Sequence, residues 1–207
     1  MKKLMFAAVA ALTLGLTMTA KAENENWKWS PIGLGLVAPV QLPYTDTSVY
    51  GLRLGGILGW SENVTGLDLG LANVAAGTEY AIQGGLFNVV KGDFGGLQLG
   101  AVNYNGAIAG GLQLGLGNWT ALNFYGVQAS LVNVEQRLQC GIALGALNWA
   151  YTVEGAQLGV INLASEVHGL QLGVINASEE MHGLQIGAIN MITTSCAPVL
   201  PLVNVWF

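Results

Sequence analysis

The sequence predicts an all-β protein, preferably an antiparallel up-and-down barrel of about twelve strands, with a β-solenoid as the alternative. Three observations lead to this prediction. A tandem repeat of 14–15 residues occupies most of the chain, and the repeat has the two-residue period of a strand. After the first twenty residues, no stretch approaches the ~18 consecutive apolar residues of a membrane-spanning helix.

The repeat is an octad of the form Gly-Leu-Gln-Leu-Gly-apolar-apolar-Asn. Its clearest copies are Gly96–Asn103, Gly169–Asn176 and Gly183–Asn190. Ten copies start at residues 51, 66, 81, 96, 111, 126, 141, 155, 169 and 183, so the spacing is fifteen residues six times and then fourteen residues three times. Self-similarity at a fixed period is the sequence signature of a repeat architecture.

Alternate residues of each octad differ in character, as expected for a strand. In the copy that starts at residue 169, Leu170 and Leu172 lie on one face. Gly169, Gln171 and Gly173 lie on the other, and glycine at two fixed positions argues against a helix. Each repeat would then give a strand of about ten residues and a short turn, and ~9–11 residues are enough for a tilted strand to cross a bilayer.

Two architectures fit such a repeat. In a β-solenoid each repeat is one coil, and equal positions stack in parallel ladders. In a barrel each repeat is one strand, and successive strands run antiparallel through hairpins. The linkers favour hairpins, because Asn105-Gly106 is the strongest short hairpin signal and Lys91–Asp93 is a second tight-turn sequence.

Further features favour closure of a barrel. Large apolar residues beside the octads recur every second repeat, and antiparallel strands would bring them to the same end. These residues are Phe94, Trp119, Phe124 and Trp149. Segment 198–207 alternates in polarity and ends on an aromatic residue, and segment 33–42 is predicted to pair with it. With the ten repeats they give twelve strands, an even number as in bacterial outer-membrane barrels.

Residues 1–22 have the features of a secretory signal peptide. Two lysines near the start precede an uncharged apolar run over residues 5–19, and Ala20-Lys21-Ala22 is a small-x-small cleavage site. We therefore expect a signal peptide over residues 1–22 and a single β-repeat domain over 23–207, with the repeats at 51–190. The chain is expected to be exported to the outer membrane or the cell surface.

The composition is apolar and sparsely charged, with 52% hydrophobic and 9% charged residues. After residue 22, four Lys and Arg stand against twelve Asp and Glu, which argues against nucleic-acid binding because phosphate contacts need basic side chains. Lipid contact through alternate strand residues would cover the apolar surface. Cys140 and Cys196 are predicted to be isolated apolar residues, although export to an oxidising compartment permits a disulfide.

Gly51–Leu54, Gly66–Asn73 and Pro201–Phe207, together with the Gly-Leu-Gln-Leu-Gly copies, carry a family resemblance. On these residues the chain resembles a family of bacterial surface-repeat proteins best known from spirochaetes, over nearly everything after Pro39. The resemblance implies surface or outer-membrane placement and no established activity. Some relatives carry polyhydroxyalkanoate-synthase labels, but this chain lacks the Gly-x-Cys-x-Gly or Gly-x-Ser-x-Gly nucleophile turn that such chemistry needs.

The third octad position forms the main candidate site, a predicted interior polar layer. Glutamine there stands between two glycines, on the face that would point into a barrel while the leucine face meets lipid. Such amides can satisfy one another by hydrogen bonding, and Arg53 and Asp68 would form an ion pair. The layer is either a narrow constriction for small polar solutes or, as we favour, a structural belt that fills the interior. It comprises Arg53, Asp68, Gln83, Gln98, Gln113, Gln128, Gln157, Gln171 and Gln185, with Ala143 as the exception.

Two other sets of residues distinguish the architectures. His168 and His182 share a repeat position, so a solenoid would stack them ~4.8 Å apart, whereas consecutive antiparallel strands would hold them at opposite ends. They are too few ligands for a closed zinc site, and no metal is predicted. The asparagines that close the octads are predicted to be turn residues, whereas a solenoid would stack them in a ladder. They are Asn73, Asn88, Asn103, Asn118, Asn133, Asn148, Asn162, Asn176 and Asn190.

The function predicted from the sequence is structural or passive permeation at the outer membrane or cell surface, without catalysis and without a cofactor. The expected partners are outer-membrane lipid and the barrel-assembly machinery, with small-solute passage as an option and no nucleic acid. The alternative is a secreted or surface-attached β-solenoid adhesin. An enzyme would need a Ser-His-acid constellation, and neither histidine has an evident serine partner in the sequence.

Overall fold

The protein folds as a β-solenoid of about eleven turns, and of the residues that the structure describes 78% are strand and none is helical. The computed structural model describes residues 29–206, so the predicted signal peptide over residues 1–22 lies outside the described residues. The all-β prediction is confirmed. Of the two architectures that the repeat allows, the solenoid is the observed one.

The barrel prediction is wrong because neighbouring repeats pair in parallel and in register. Gly96 lies between Ala81 and Gly111, the equivalent residues of the adjacent repeats. Each repeat is a complete coil with two strands, and the octad contains the turn between them at Gly100-Ala101. The hairpin prediction for Asn105-Gly106 is wrong for the same reason, since this sequence makes the second turn of a coil.

The two strands of each coil belong to two sheets. The longer strands form face A, and the shorter strands form face B. Face A contains β4 (Val64–Leu69), β6 (Glu79–Gly84), β8 (Phe94–Leu99), β10 (Ala109–Leu114) and β12 (Phe124–Ala129). Face B contains β5 (Ala72–Ala75), β7 (Phe87–Val90), β9 (Val102–Asn105) and β11 (Gly117–Thr120). Three continuous strands, β3 (Ser48–Ser61), β13 (Val132–Leu172) and β14 (Ile175–Ile192), contribute to both faces.

Each coil also has two edges. The glycine edge is the turn from face A to face B, such as Gly100-Ala101, and the charged edge is the turn from face B to face A of the next coil, such as Gly106–Ile108. In this coil the buried, inward side chains are Phe94, Gln98, Asn103 and Asn105. The outward ones are Leu97, Leu99, Val102 and Tyr104.

Glycine at the first octad position lets adjacent coils approach closely. At Gly111, φ is +111°, and an added Cβ would lie 2.0 Å from the carbonyl oxygen of Gly96 in the preceding coil. A side chain there would therefore meet both backbone strain and a steric clash. Ala81 occupies this position in its own coil, where φ is not positive.

The interior holds two apolar clusters near the charged edge. The first cluster comprises Val64, Ala75, Val90, Phe94, Ala109 and Phe124, and the second comprises Ala150, Val153, Val167, Met181 and Ile192. Between them lies a polar section, in which the buried inward residues include Asn105, Thr120, Glu135 and Gln139. The hydrophobic core is thus interrupted between Phe124 and Ala150.

Additional strands cover both ends of the stack. At the N-terminal end β1 (Trp29–Val37) pairs in parallel with β3, and β2 (Val40–Leu42) pairs antiparallel with β1. At the C-terminal end β15 (Val199–Trp206) pairs antiparallel with β14. The predicted pairing of segments 33–42 and 198–207 is wrong, since these segments cap opposite ends. These caps form hydrogen bonds with the backbone of the first and last coils, which would otherwise expose unpaired strand edges.

Candidate functional site

The nine residues of the predicted polar layer form one straight column inside the solenoid. All of the glutamines in it are completely buried. Five of the glutamines donate from Nε2 to Oε1 of the glutamine in the preceding coil, as in Gln98 to Gln83 (2.7 Å), Gln113 to Gln98 (2.8 Å) and Gln185 to Gln171 (2.8 Å). The layer is therefore a ladder along the solenoid axis and not a ring around a lumen.

The asparagines that close the octads form a second, unbroken ladder on the opposite sheet. Their prediction as turn residues is wrong, since all nine lie inside strands or at strand starts and are buried. From Asn73 to Asn176, each Nδ2 donates to Oδ1 of the asparagine in the following coil, as in Asn88 to Asn103 (2.8 Å) and Asn162 to Asn176 (2.8 Å). The second hydrogen of Asn88 Nδ2 reaches the carbonyl oxygen of Leu99 (2.8 Å) beside the glycine edge.

The two ladders point in opposite directions along the axis. Glutamine amides donate towards the N-terminal end, and asparagine amides donate towards the C-terminal end. Because each donor–acceptor column adds its amide dipoles head to tail, the dipoles of the two columns oppose each other. The interior therefore holds a long series of buried amides without building up a large net field.

An ionic cluster replaces the glutamines at the N-terminal end of the column. Arg53 Nε donates to Asp68 Oδ1 at 2.6 Å, a second bond joins Arg53 Nη2 to Asp68 Oδ2, and Nη1 donates to the Val74 carbonyl oxygen at 2.9 Å. Gln83 bridges the cluster by donating to Asp68 (3.1 Å) and Glu79 (2.7 Å). Burial, and then the charge of Asp68, hold the pKa of Glu79 well above its ordinary value, so Arg53 and Asp68 form a pair that balances its own charge.

The glutamine ladder is broken at Ala143. Gln128 Oε1 would receive, and Gln157 Nε2 would donate, the two hydrogen bonds of a glutamine at this position, and neither atom has a hydrogen-bond partner within the described part of the protein. Gln139 Oε1 and both carboxylate oxygens of Glu135 are likewise unpartnered and buried. Several buried side-chain oxygen and nitrogen atoms around Ala143 therefore lack a hydrogen-bond partner.

Burial raises the pKa of Glu135 from 4.5 to about 8, and the nearby amide of Gln128 offsets part of this shift. The charged carboxylate is disfavoured because it has lost its hydration. Near neutral pH this side chain is accordingly mostly protonated, and the unpaired section between the two apolar clusters carries little charge.

The histidines lie in adjacent coils with stacked rings. The ring centroids of His168 and His182 are 5.1 Å apart and the planes differ by 8°. The barrel prediction, in which antiparallel strands hold these residues at opposite ends, is therefore wrong for this pair as well. Within residues 29–206, no group of three or more His, Cys, Asp or Glu side chains is arranged to hold a metal ion. Cys140 and Cys196 are free thiols.

The predicted aromatic cluster is divided between the inside and the outside. Phe94 and Phe124 are buried in the first apolar cluster, whereas Trp119 and Trp149 point outward from face B and are 42% and 38% exposed. The antiparallel arrangement that would bring all four to one end is therefore wrong. In the solenoid, Phe94 and Phe124 stand on either side of Ala109 in one inward column.

The outer surface of the coils is mostly apolar and solvent-exposed. Most coils present two outward aliphatic positions on face A, and the glycine edge adds a third in many of them. Examples are Leu99, Leu114 and Leu144 on face A and Leu86, Leu116 and Leu131 at the glycine edge, with exposures between 37% and 60%. Contiguous apolar surface of this extent marks an interaction site in a folded protein.

A cavity under β1 is lined by Leu34, Gln41 and Arg53 and has a volume of about 10 Å³. That is the space of a single water molecule, which is too small for an organic ligand. Among residues 29–206, no helix is long and apolar enough to cross a membrane.

Comparison with protein families, with curated proteins and with solved structures finds no match for this chain. The resemblance to surface-repeat proteins stays a prediction from the octads.

Replacing Ala143 by glutamine is expected to stabilise the protein by roughly 1 kcal/mol, because the new amide would join Gln128 to Gln157 through two hydrogen bonds. The interior can accommodate this larger side chain, because the coil of Glu79 and Gln83 already holds two long side chains at the equivalent positions, opposite Val90. Urea unfolding measures the change.

The matched control is Ala109→Gln, which buries the same side chain between Phe94 and Phe124. This variant is expected to lose several kcal/mol because its amide finds an apolar environment. Equal destabilisation by both substitutions would contradict the broken-ladder account.

Glu135→Gln is expected to remove a pH dependence of stability. As the pH rises from 4.5 to 8, an unfolded chain releases the Glu135 proton while the folded protein retains it, so the wild type loses stability over this window. The variant should match the wild type near pH 4.5 and exceed it by several kcal/mol at pH 9. Urea unfolding at both pH values measures the difference, and Glu179→Gln is the matched substitution of an exposed glutamate.

Proposed function

We propose that this protein is an exported, non-catalytic β-solenoid that attaches to other surfaces through the apolar exterior of its coils. The observation that supports the proposal most directly is that polar side chains lie inside the solenoid and apolar side chains lie outside, the reverse of an ordinary soluble protein. Buried glutamine and asparagine side chains fill much of the interior, while leucine, isoleucine and valine side chains stand in rows on the outside.

The interior ladders support a structural role for the polar layer rather than permeation. The ladder amides bond to one another from coil to coil and lie between two closely packed sheets. Gln113 and Asn118, on opposite sheets of one coil, are joined by a hydrogen bond from Asn118 Nδ2 to the Gln113 carbonyl oxygen (3.5 Å). A solute moving along the axis would have to break these bonds.

The exterior supports attachment because its apolar rows recur at the coil spacing. Parallel strands lie ~4.8 Å apart, so about ten coils place their aliphatic side chains on a strip some 45 Å long. Burying such side chains contributes about 25 cal/mol per Å² of apolar surface. Many weak contacts would then add up along the strip.

Adsorption to chemically defined surfaces tests the proposal. The purified exported protein should bind an alkyl-coated sensor at least tenfold more tightly than a hydroxyl-coated one. Replacing Leu99 and Leu144 on face A by glutamate should lower binding to the alkyl layer at least tenfold, because each charge must then be dehydrated or held away from the layer.

The control variant replaces Gln136 and Ser165 by glutamate, which adds the same charge at the charged edge and should leave binding unchanged. Circular dichroism establishes that both variants are folded. Equal binding to the two sensors, or equal loss in both variants, would rule out attachment through the apolar rows.

A further inference from the structure

Charged side chains on the outside of the coils are confined to one side of the solenoid. Each lies in the turn from face B to face A or in the outward row next to it. They are Glu62, Lys91, Asp93, Arg137, Glu154, Glu166, Glu179 and Glu180. The remaining charged residues of the coils are Arg53, Asp68, Glu79 and Glu135, all of which point inward and are buried.

Tyrosine and tryptophan side chains recur in the rows immediately beside this charged edge on both faces. Along face A the row is the second residue of each long strand, and along face B it is the last but one residue of each short strand. The aromatic members are Tyr50, Tyr80 and Tyr125 on face A and Trp60, Tyr104, Trp119 and Trp149 on face B. In the C-terminal coils the face A row continues with Glu154, His168 and His182. Lys91 Nζ lies 4.7 Å from the ring centroid of Trp60, so the aromatic row contacts the charged edge directly.

Beyond the aromatic rows, both faces and the glycine edge carry only aliphatic residues, phenylalanine, glycine and an occasional serine. On face A this region extends from the row of Leu97 to the row of Leu99, and on face B it includes the row of Val102. At the glycine edge it includes Leu116 and Leu131, which are 60% and 58% exposed. We call this three-sided region the aliphatic blade.

The charged edge, the aromatic rows and the aliphatic blade follow one another in the same order as water, the headgroup region and the hydrocarbon core of a membrane. Tyrosine and tryptophan favour the headgroup region, where the ring is partly buried and the polar atom stays hydrated. We infer that the aliphatic blade inserts into one leaflet of a phospholipid bilayer, with the solenoid axis parallel to the membrane plane. This inference rests on the proposed function and names the surface that the apolar rows contact.

The dimensions of the blade fit a single leaflet. From the row of Leu97 to the glycine edge is about four residues, or ~13 Å at ~3.3 Å per residue. Half of the ~30 Å hydrocarbon core is ~15 Å. The blade can therefore fill one leaflet while the charged edge remains in water.

The backbone of the blade meets the requirement that lipid imposes on polar groups, since unsatisfied N–H and C=O groups are costly there. At the glycine edge Leu86 N donates to the Leu71 carbonyl oxygen (2.8 Å) and Leu116 N donates to the Ala101 carbonyl oxygen (2.9 Å). Asn88 Nδ2 satisfies the Leu99 carbonyl oxygen (2.8 Å) from inside. The turns that would lie deepest are thus bonded from coil to coil.

A second copy of the chain is a poorer occupant of this surface. Two copies joined through face A would leave face B and the glycine edge of both copies in water. A lipid leaflet covers all three sides at once.

The charged edge has a net negative charge, with six acidic and two basic residues. This charge favours apolar contact with the bilayer over electrostatic attraction to anionic lipid.

Vesicle flotation with fluorescent labels tests the inference. In a Cys140→Ser, Cys196→Ser background, an environment-sensitive dye is attached to Leu116→Cys at the glycine edge or to Gln136→Cys at the charged edge. With uncharged phosphatidylcholine vesicles the protein should float in both 0.1 M and 1 M NaCl. The dye at position 116 should shift to the blue, and the dye at position 136 should not.

Two glutamate substitutions at the glycine edge, Leu86→Glu and Leu131→Glu, should reduce flotation at least tenfold, whereas Gln136→Glu with Ser165→Glu should not change it. A blue shift at both label positions would overturn the proposed orientation. Oligomers in buffer together with failure to float would show that a second copy covers the blade.

Adsorption to the alkyl-coated sensor separates this inference from the proposed function. Strong adsorption without flotation would overturn leaflet insertion alone. Loss of both would overturn the proposed function as well.

Discussion

Hydrogen bonds between side-chain amides of successive coils are the constraint on which the rest of this structure depends. A buried amide without a partner costs about 1–3 kcal/mol, and nine asparagines stand in one column from Asn73 to Asn190. Each finds its partner only when equal positions of neighbouring repeats lie side by side. The ladder therefore fixes parallel pairing and register together, and it is unbroken where the glutamine column is interrupted at Ala143.

The inward amides also determine what the outer surface becomes. Two sheets that pack closely leave room for one layer of side chains, and amides take much of that space near the glycine edge. Apolar residues of the alternating strands must then point outward, as Leu97 and Leu99 do around Gln98. The apolar exterior on which the proposed attachment depends is thus a direct consequence of the polar interior.

The sequence was sufficient to predict strands, the two faces of each strand and the common layer of Arg53, Asp68 and the glutamines. It was not sufficient to choose a solenoid, because a two-residue period describes a strand of a barrel and a strand of a coil equally well. Asn105-Gly106 favours a hairpin by its local chemistry, yet the turn at Gly100-Ala101 inside the octad means that the same residues close a coil. Asparagine at one fixed position in nine of the ten repeats was the signal for stacking. It was assigned to turns instead, because asparagine usually favours turns.

Other features depend on neighbouring coils and were beyond the repeat pattern. Glu135 and Gln139 are recognisable as interior residues only when the alignment of coils places them beside Thr120 and Phe124. The requirement for glycine at position 111 comes from the carbonyl group of Gly96 in the preceding coil. Such contacts join residues fifteen apart, and a single repeat does not reveal them.

Distance measurement between His168 and His182 tests the in-register parallel stack most directly. Spin labels would replace the two histidines in a Cys140→Ser, Cys196→Ser background. Adjacent parallel coils place the labelled positions about 5 Å apart, so strong dipolar broadening is expected. Antiparallel strands of about ten residues would hold them at opposite ends, some 30 Å apart, and a spectrum with that separation and no broadening would contradict the stack.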